Sequence, residues 1–289
     1  MGIRRRLREK MISNSFTLNT YLGRILVIFA LVYVGPASAR SSEVFFDDSV
    51  DLSANAATLI AEKIFHNECG SDQHCLVSWN EGERFPSLGI GHFIWYPKGI
   101  DEGYRESFPE LIAFMQGQSL PVPHALQRLS PFDAPWGNRK EFLMRSHDTD
   151  VQQLRDFLST HKAIQMKFMF RRAKQSWSDI VAASPPVRRP HTQSIIRQLL
   201  ASDVGIYALI DYVNFKGEGL LTSEQINGTG WGLSQVLDAM DVESEDADIV
   251  GAFRVAAVKV LTHRAMNAKN PIERNRWLAV WKKRIQTYR

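Results

Sequence analysis

The chain has 289 residues, of which 44% are hydrophobic and 23% charged, with 18 glycines and 12 prolines. This composition excludes a disordered, fibrous or repeat-array protein and fits one large domain, or one domain with a sizeable insertion. The formal charge of +4 is unevenly placed, because residues 1–39 carry +5 from six basic residues and one glutamate, which leaves −1 for the rest. The body of the protein is therefore not basic, and its composition gives no support for a nucleic-acid partner.

The first 39 residues have the pattern of a targeting segment. A basic stretch precedes the 11-residue apolar run Ile25–Gly35, and Pro36–Ala39 supplies the small-x-small pattern of a signal-peptidase site. The run is shorter than the ~20 residues that a membrane-spanning helix needs. We predict cleavage after Ala39 and a periplasmic or secreted protein with no stable membrane span afterwards. The basic region is unusually long and Met11 could be the true start, so an uncleaved membrane anchor is the alternative.

Residues 40–289 have a mainly helical pattern. Ser53 is a predicted N-cap for a helix over about residues 54–67, and four side chains share one face at the helical spacing: Ala57, Ala61, Ile64 and Glu68. Glu68 thus lies where an apolar stripe ends. The segment 79–97, rich in glycine, serine and aromatic residues, predicts a small hairpin or a few short strands.

The rest of the chain alternates turns and helices. Residues 98–137 are turn-rich with one short helix near 109–115, and a helical pattern resumes over about 139–182. The proline-rich stretch 184–190 is the clearest internal linker. Helices are then predicted over about 191–215, 246–267 and 271–288. In the last one, an apolar face at i, i+4 spacing is predicted to close the core: Trp277, Trp281, Ile285 and Tyr288.

The chain has two cysteines, Cys69 and Cys75. An even pair in an exported protein favours a disulfide over a redox or metal site. By the chain-entropy model so short a loop contributes roughly 2 kcal/mol, so its predicted role is to fix local geometry. Two unpaired surface thiols are the alternative.

The densest group of chemically active side chains lies in residues 67–92. Glu68 ends the first helix, and Glu81 and Glu83 open a glycine-rich turn. Hydrolysis of a glycosidic bond needs one protonated carboxylic acid for the leaving oxygen and a second, ionised carboxylate across the sugar. A glutamate at the edge of an apolar stripe suits the first role, and one in a polar turn suits the second. A solvated cluster of surface acids is the alternative.

The run Ser87–His92, Ser-Leu-Gly-Ile-Gly-His, resembles the Thr-Ile-Gly-Ile-Gly-His signature of phage-type lysozymes and related endolysins. In that family an acid ends the first helix, matching Glu68, and a second acid lies six residues before the Thr, matching Glu81. The stretch Ala208–Gly217 is similar to a helix of the family, and Glu273–Leu278 more loosely to its arginine-rich C-terminal helix. The resemblance covers residues 59–97 and 205–235 and leaves residues 98–190 unmatched.

This resemblance implies a mainly α, α+β lysozyme-like domain over residues 40–289, with a small β-hairpin lobe and a helical insertion at 98–190. It implies a muramidase that cleaves the β-1,4 backbone of peptidoglycan glycan strands. Glu68 would be the general acid, Glu81 the second carboxylate and Ser87 the holder of the attacking water. His92 would be structural, paired with a carboxylate, and the alternative that we favour is a core histidine whose hydrogen bonds are satisfied. No cofactor or metal is expected, because the chain lacks zinc, phosphate-loop and serine-hydrolase motifs.

One departure from the family pattern and one further resemblance keep alternatives open. The family's second acid is usually Asp, so Glu83 is a rival to Glu81 or otherwise a substrate contact. The stretch Asn227–Val236 is similar to the Gly-Leu-Met-Gln motif of goose-type lysozymes and lytic transglycosylases, which nominates Glu218 as catalytic acid. We expect Gly230–Val236, with Trp231 and Gln235, to be a cleft wall instead. A lysozyme-like cell-wall binding or scaffold protein without catalysis is the alternative from a different class.

Overall fold

The structure is a computed structural model that describes residue 46 and residues 51–221, 225–240 and 248–289. The predicted leader, residues 1–39, lies outside the described residues. The described chain is mainly helical with a small antiparallel sheet, which confirms the mainly α, α+β class. None of its helices is both long and apolar enough to span a membrane.

Helix α1 spans Ala54–Cys69 and begins as predicted, because the Ser53 hydroxyl accepts a hydrogen bond from the Ala56 N–H at 3.1 Å. The predicted apolar face is buried along its length, and Glu68 is buried with it. Gly70 ends the helix in the left-handed conformation and donates its N–H to the His66 carbonyl.

A three-stranded antiparallel sheet follows α1 in the order β1-β2-β3. The strands are Val77–Ser78, Ser87–Leu88 and Phe93–Ile94, so the predicted hairpin region forms three short strands. Ser78 pairs with Ser87, and Leu88 pairs with Phe93. A second, two-stranded sheet joins β4, Gln225–Ile226, to β5, Thr229–Gly230.

The segment that the family resemblance leaves unmatched is built from helices and belongs to the same core. Its helices α2 to α6 are Phe108–Gly117, His124–Gln127, Arg139–Arg145, Thr149–Thr160 and Lys162–Ala183. Helix α6 packs along α1 and buries Trp177 and Phe168 completely. The predicted linker is reduced to a short turn between α6 and the next helix.

The C-terminal part contains α7 to α11, which are Arg189–Leu200, Asp203–Lys216, Leu233–Ala239, Ile249–Asn267 and Leu278–Ile285, with a π-helical turn at Glu273–Trp277 before the last. The single helix predicted over 191–215 is therefore wrong. The chain turns at Ser202, whose hydroxyl caps α8 by accepting the Gly205 N–H at 3.1 Å. A Cβ on Gly205 would overlap the Leu199 carbonyl, so this close corner requires glycine.

The apolar face predicted for the last helix is largely confirmed. Trp281, Ile285 and Tyr288 are 1% exposed or less, whereas Trp277 is 38% exposed. The C-terminal helix therefore closes the core, and it does so against the helix end that carries Glu68.

Candidate active site

The carboxylate of Glu68 lies at the carboxyl end of α1, and its side chain is only 2% exposed. Its Oε1 accepts hydrogen bonds from Arg284 Nη2 at 2.5 Å and from Asn214 Nδ2 at 2.9 Å. Every hydrogen bond that the described residues make to this carboxylate goes to Oε1, so Oε2 is left for another partner. Glu68 is therefore a buried acid whose orientation is fixed through one oxygen.

Arg284 is shared between Glu68 and a second buried carboxylate, Asp211. Its Nε and Nη2 donate to the two oxygens of Asp211 at 2.9 and 2.8 Å, which is a bidentate pair. Burial opposes the charge of the guanidinium, but Asp211 and Glu68 outweigh it and raise the pKa of Arg284 well above its usual value. One guanidinium thus pairs with two buried carboxyl groups.

Two tyrosines and an amide complete the surroundings of Asp211. The Tyr288 hydroxyl donates to its Oδ2 at 2.8 Å, and Asn67 Nδ2 donates to its Oδ1 at 3.2 Å and to the Tyr207 hydroxyl at 2.6 Å. Burial and then the charge of Asp211 raise the pKa of Tyr288 well above its usual value, so this phenol remains a donor. The network joins the end of α1, the middle of α8 and the C-terminal residues.

The Gly-Ile-Gly stretch positions β2 and Ser87. Gly89 has φ of 70°, and a Cβ there would overlap the side chain of Gln165, whose Oε1 accepts the Ile90 N–H at 2.9 Å. Gln165 in turn donates to the Leu158 carbonyl at 2.6 Å. Glycine is therefore required at position 89 on two grounds, its positive φ and the close approach of the Gln165 side chain from α6.

Two buried polar atoms near these elements have no hydrogen-bond partner among the described residues: the hydroxyl oxygen of Ser87 and Oδ1 of Asn214. A buried polar atom left unpaired costs about 1–3 kcal/mol, so such atoms indicate a place for water or a ligand. Asn214 is the more informative of the two, because its other terminal atom already binds Glu68.

The acids of the β1–β2 turn differ in their surroundings. Glu81 is exposed, whereas Glu83 is half-buried and accepts a hydrogen bond from Asn80 Nδ2 at 3.2 Å. Burial raises the pKa of Glu83, and the Asn80 hydrogen bond partly opposes that rise. Neither acid is hydrogen-bonded to the Glu68 cluster in the described part of the chain, so the second-acid assignment stays a prediction.

A small open cleft lies between α6, α8 and β3. Its polar lining comes from Arg172, Ser176, Asn214 and Glu218, and Phe93 and Met169 supply apolar walls. Asn214 connects this cleft to Glu68, because it lines the cleft and its Nδ2 donates a hydrogen bond to Glu68. Glu68 therefore lies one hydrogen bond behind the cleft wall.

Glu218, the alternative acid of the sequence, lies inside this cleft. It follows α8 by two residues, is 6% exposed and accepts a hydrogen bond from the Ser176 hydroxyl. Burial, and then the charge of Arg105, lower the pKa of the neighbouring Arg172 to about 10, against the opposing charges of Glu110 and Glu218. The cleft thus contains a carboxyl group and a guanidinium in a partly desolvated setting.

The motif expected to be a cleft wall supports the Glu218 turn from behind. Gln235 Nε2 donates to the Gly219 carbonyl at 3.1 Å, and the Ser234 N–H donates to the Glu218 carbonyl at 2.9 Å. A Cβ on Gly232 would overlap the backbone of Gly219, so two backbone segments pack directly together. Trp231 and Gln235 are not among the cleft-lining residues; Trp231 instead lies against the guanidinium of Arg264.

The structure contains the predicted disulfide between Cys69 and Cys75, whose Cα atoms are 5.5 Å apart. His92 packs against it, with Nε2 3.3 Å from Cys75 Sγ and 3.9 Å from Cys69 Sγ. The His92 ring thus lies beside the sulfur atoms, and its expected pairing with a carboxylate stays a prediction.

In comparisons with known proteins, no family model, no curated protein and no solved structure matches this chain. Its function has to be inferred from the site itself.

The sequence analysis missed three members of the site: Asp211, Asn214 and Arg284. A signal for two of them is present, because Asp211 and Asn214 are polar residues at i, i+3 spacing on the buried face of helix α8. Arg284 has no comparable local signal beyond its place on the buried face of the last helix.

Proposed function

We propose that this protein is a lysozyme-like muramidase of the phage-endolysin type that cleaves the β-1,4 glycan backbone of peptidoglycan after export. The observation that carries the proposal is the buried helix-end acid Glu68, held through Oε1 by Arg284 and Asn214. A proton donor must be held within about half an ångström of its productive position. This arrangement fixes one oxygen and leaves Oε2 to carry the proton.

In the proposed reaction, Oε2 of Glu68 donates its proton to the glycosidic oxygen as the bond to the sugar breaks. The Arg284 guanidinium stabilises the carboxylate that this transfer leaves behind. An ionised acid of the β1–β2 turn, Glu81 or Glu83, stabilises positive charge on the sugar, and the Ser87 hydroxyl holds the attacking water. The unpaired hydroxyl of Ser87 supports that last role.

A second candidate uses Glu218 as the acid, in the manner of a lytic transglycosylase. It is favoured by one observation: Glu218 lines the cleft directly, whereas Glu68 lies behind Asn214. In that reaction the 6-hydroxyl of the sugar attacks instead of water, and the product has an anhydro end.

The test is a mass spectrum of the muropeptides released from isolated peptidoglycan by the purified protein. Glu68→Gln is isosteric but cannot donate the proton, so cleavage should fall by at least about 10²-fold with the fold retained. Glu62→Gln, on the exposed side of the same helix, is the matched control and should cleave at the wild-type rate.

The chemical ends of the released muropeptides distinguish the two proposed reactions. Reducing ends lost in Glu68→Gln support the muramidase, and anhydro ends lost in Glu218→Gln support the transglycosylase. A wild-type protein that binds peptidoglycan and releases nothing would leave the scaffold alternative.

A further inference from the structure

Three metal-binding side chains meet at the carboxyl end of α1. Cys69 ends the helix, Cys75 lies in the 3₁₀ turn Gln73–Leu76, and His92 lies between β2 and β3. Their ligand atoms all lie within 4.8 Å of one another, and all three residues are partly exposed. No sequence spacing reveals this group, because His92 is 17 residues beyond Cys75.

We propose that these three residues form a Zn²⁺ site when the disulfide is reduced. The loop then has two closed states, one held by a sulfur–sulfur bond and one held by a metal ion. Two thiolates and an imidazole are ligands that zinc prefers, with a water in the fourth position.

The positions of the three side chains fit such a site. In a tetrahedral zinc site with Zn–S of about 2.3 Å and Zn–N of about 2.0 Å, sulfur and nitrogen lie about 3.5 Å apart and two sulfurs about 3.8 Å apart. The distances of 3.3 and 3.9 Å from His92 Nε2 bracket the first value. His92 therefore needs little movement to bind the metal. The larger movement is that of the two sulfur atoms, which separate once the bond between them is broken.

A dithiol is the reductant that converts the disulfide into the two thiols of the metal site. Its thiolate attacks one sulfur of the disulfide, and its second thiol resolves the mixed disulfide. Two electrons and two protons pass to Cys69 and Cys75, and the dithiol leaves as a disulfide. Zn²⁺ then replaces the two thiol protons, which go to solvent, and His92 supplies the lone pair of Nε2.

This site would act on the same helix end as the disulfide. Cys69 directly follows Glu68, and Cys75 Sγ lies 3.9 Å from the Glu68 carbonyl oxygen. Metal binding would therefore restrain the residue that we propose as the acid. The inference itself does not depend on the proposed function, because metal binding is measured without any glycan.

The experiment uses Co²⁺ as a spectroscopic probe of the full chain. The purified protein is reduced, freed of metal with a chelator and titrated with Co²⁺ in the absence of air. We expect one equivalent to give a thiolate-to-cobalt charge-transfer band with intense tetrahedral visible bands, which Zn²⁺ then removes. The unreduced protein should give neither band. A reduced wild-type protein without the charge-transfer band would overturn the proposal.

Variants test the ligand set. His92→Asn suits the positive φ of 48° at this position and should weaken Co²⁺ binding by more than about tenfold, since loss of even an outer partner of a ligand costs about 10–100-fold. His74→Asn, exposed in the same loop, is the matched control and should bind as the wild type does. Equal affinity in His92→Asn and the wild type would overturn the three-residue site, as would equal losses in both variants.

Discussion

At the level of single residues, the site depends on one arginine that neutralises two buried acids. The side chains of Glu68 and Asp211 are 2% and 0% exposed, and Arg284 contacts both. Removing charges from water costs several kcal/mol for each ion, and only close pairing offsets this. The carboxylates can therefore be buried together only while the guanidinium lies between them.

Arg284→Met should accordingly lower the free energy of unfolding by about 3–5 kcal/mol, because it leaves two buried carboxylates without their cation. Denaturant titration measures the loss. Lys283→Met, the exposed neighbour on the same helix, removes the same charge and should change stability by less than about 0.5 kcal/mol. Similar losses in the two variants would mean that the network contributes little to stability.

Sequence reasoning could find Glu68 but not its partners. The position of Glu68 at the end of an apolar stripe follows from helical periodicity over a few residues, which is local information. Its bond to Arg284 spans 216 positions in the chain, and nothing in the local pattern indicates such a pairing. The proposed acid is thus visible in the sequence, whereas the groups that fix its orientation are visible only in the fold.

At the level of elements, the β1–β2 turn presents two acids in unlike settings. Glu83 is half-buried and tied to Asn80, while Glu81 is exposed at the tip of the turn. An exposed side chain is free to swing toward a bound sugar, and a tied one has to give up its hydrogen bond first. The six-residue spacing to Ser87 also favours Glu81.

Glu81→Gln should therefore lower glycan cleavage by about 10²–10⁴-fold, and Glu83→Gln should lower it much less. Rates are compared on the same peptidoglycan, with the free energy of unfolding as a check on the fold. The two variants serve as controls for each other, since each removes one charge from the same turn. The reverse ranking would assign the role to Glu83.

The helix predictions are correct where hydrophobic periodicity and a capping residue agree. They are wrong where a tertiary contact decides that the chain turns. Ser53 marks the start of α1 in both sequence and structure. Ser202 caps α8 in the same way, but the apolar pattern runs through it, so the sequence predicted one helix where α7 ends and α8 begins. The turn between α7 and α8 depends on the close approach of Gly205 to the Leu199 carbonyl, a contact between two helices that the local pattern does not reveal.

At the level of the whole molecule, the segment without family resemblance supports the proposed site. Helix α6 lies along α1, supplies Arg172 and Ser176 to the cleft and holds the Gly89–Ile90 turn through Gln165. Residues 98–190 are therefore part of the framework of the domain and of its cleft.

The disulfide ties the end of α1 to the 3₁₀ turn that leads into β1. Loop closure by so short a bridge contributes roughly 2 kcal/mol, a modest part of the ~5–15 kcal/mol that stabilises a typical domain. We expect its position beside Glu68 to give it a larger effect on the geometry of the site than on the stability of the fold.

The protein reduced in the presence of a chelator should therefore lose glycan cleavage at denaturant concentrations well below those that unfold it. Parallel activity and unfolding curves of the oxidised and reduced protein measure this, and the double variant Cys69→Ser with Cys75→Ser should behave as the reduced protein does. Full cleavage activity in that double variant would show that the bond only staples the loop and does not position the acid.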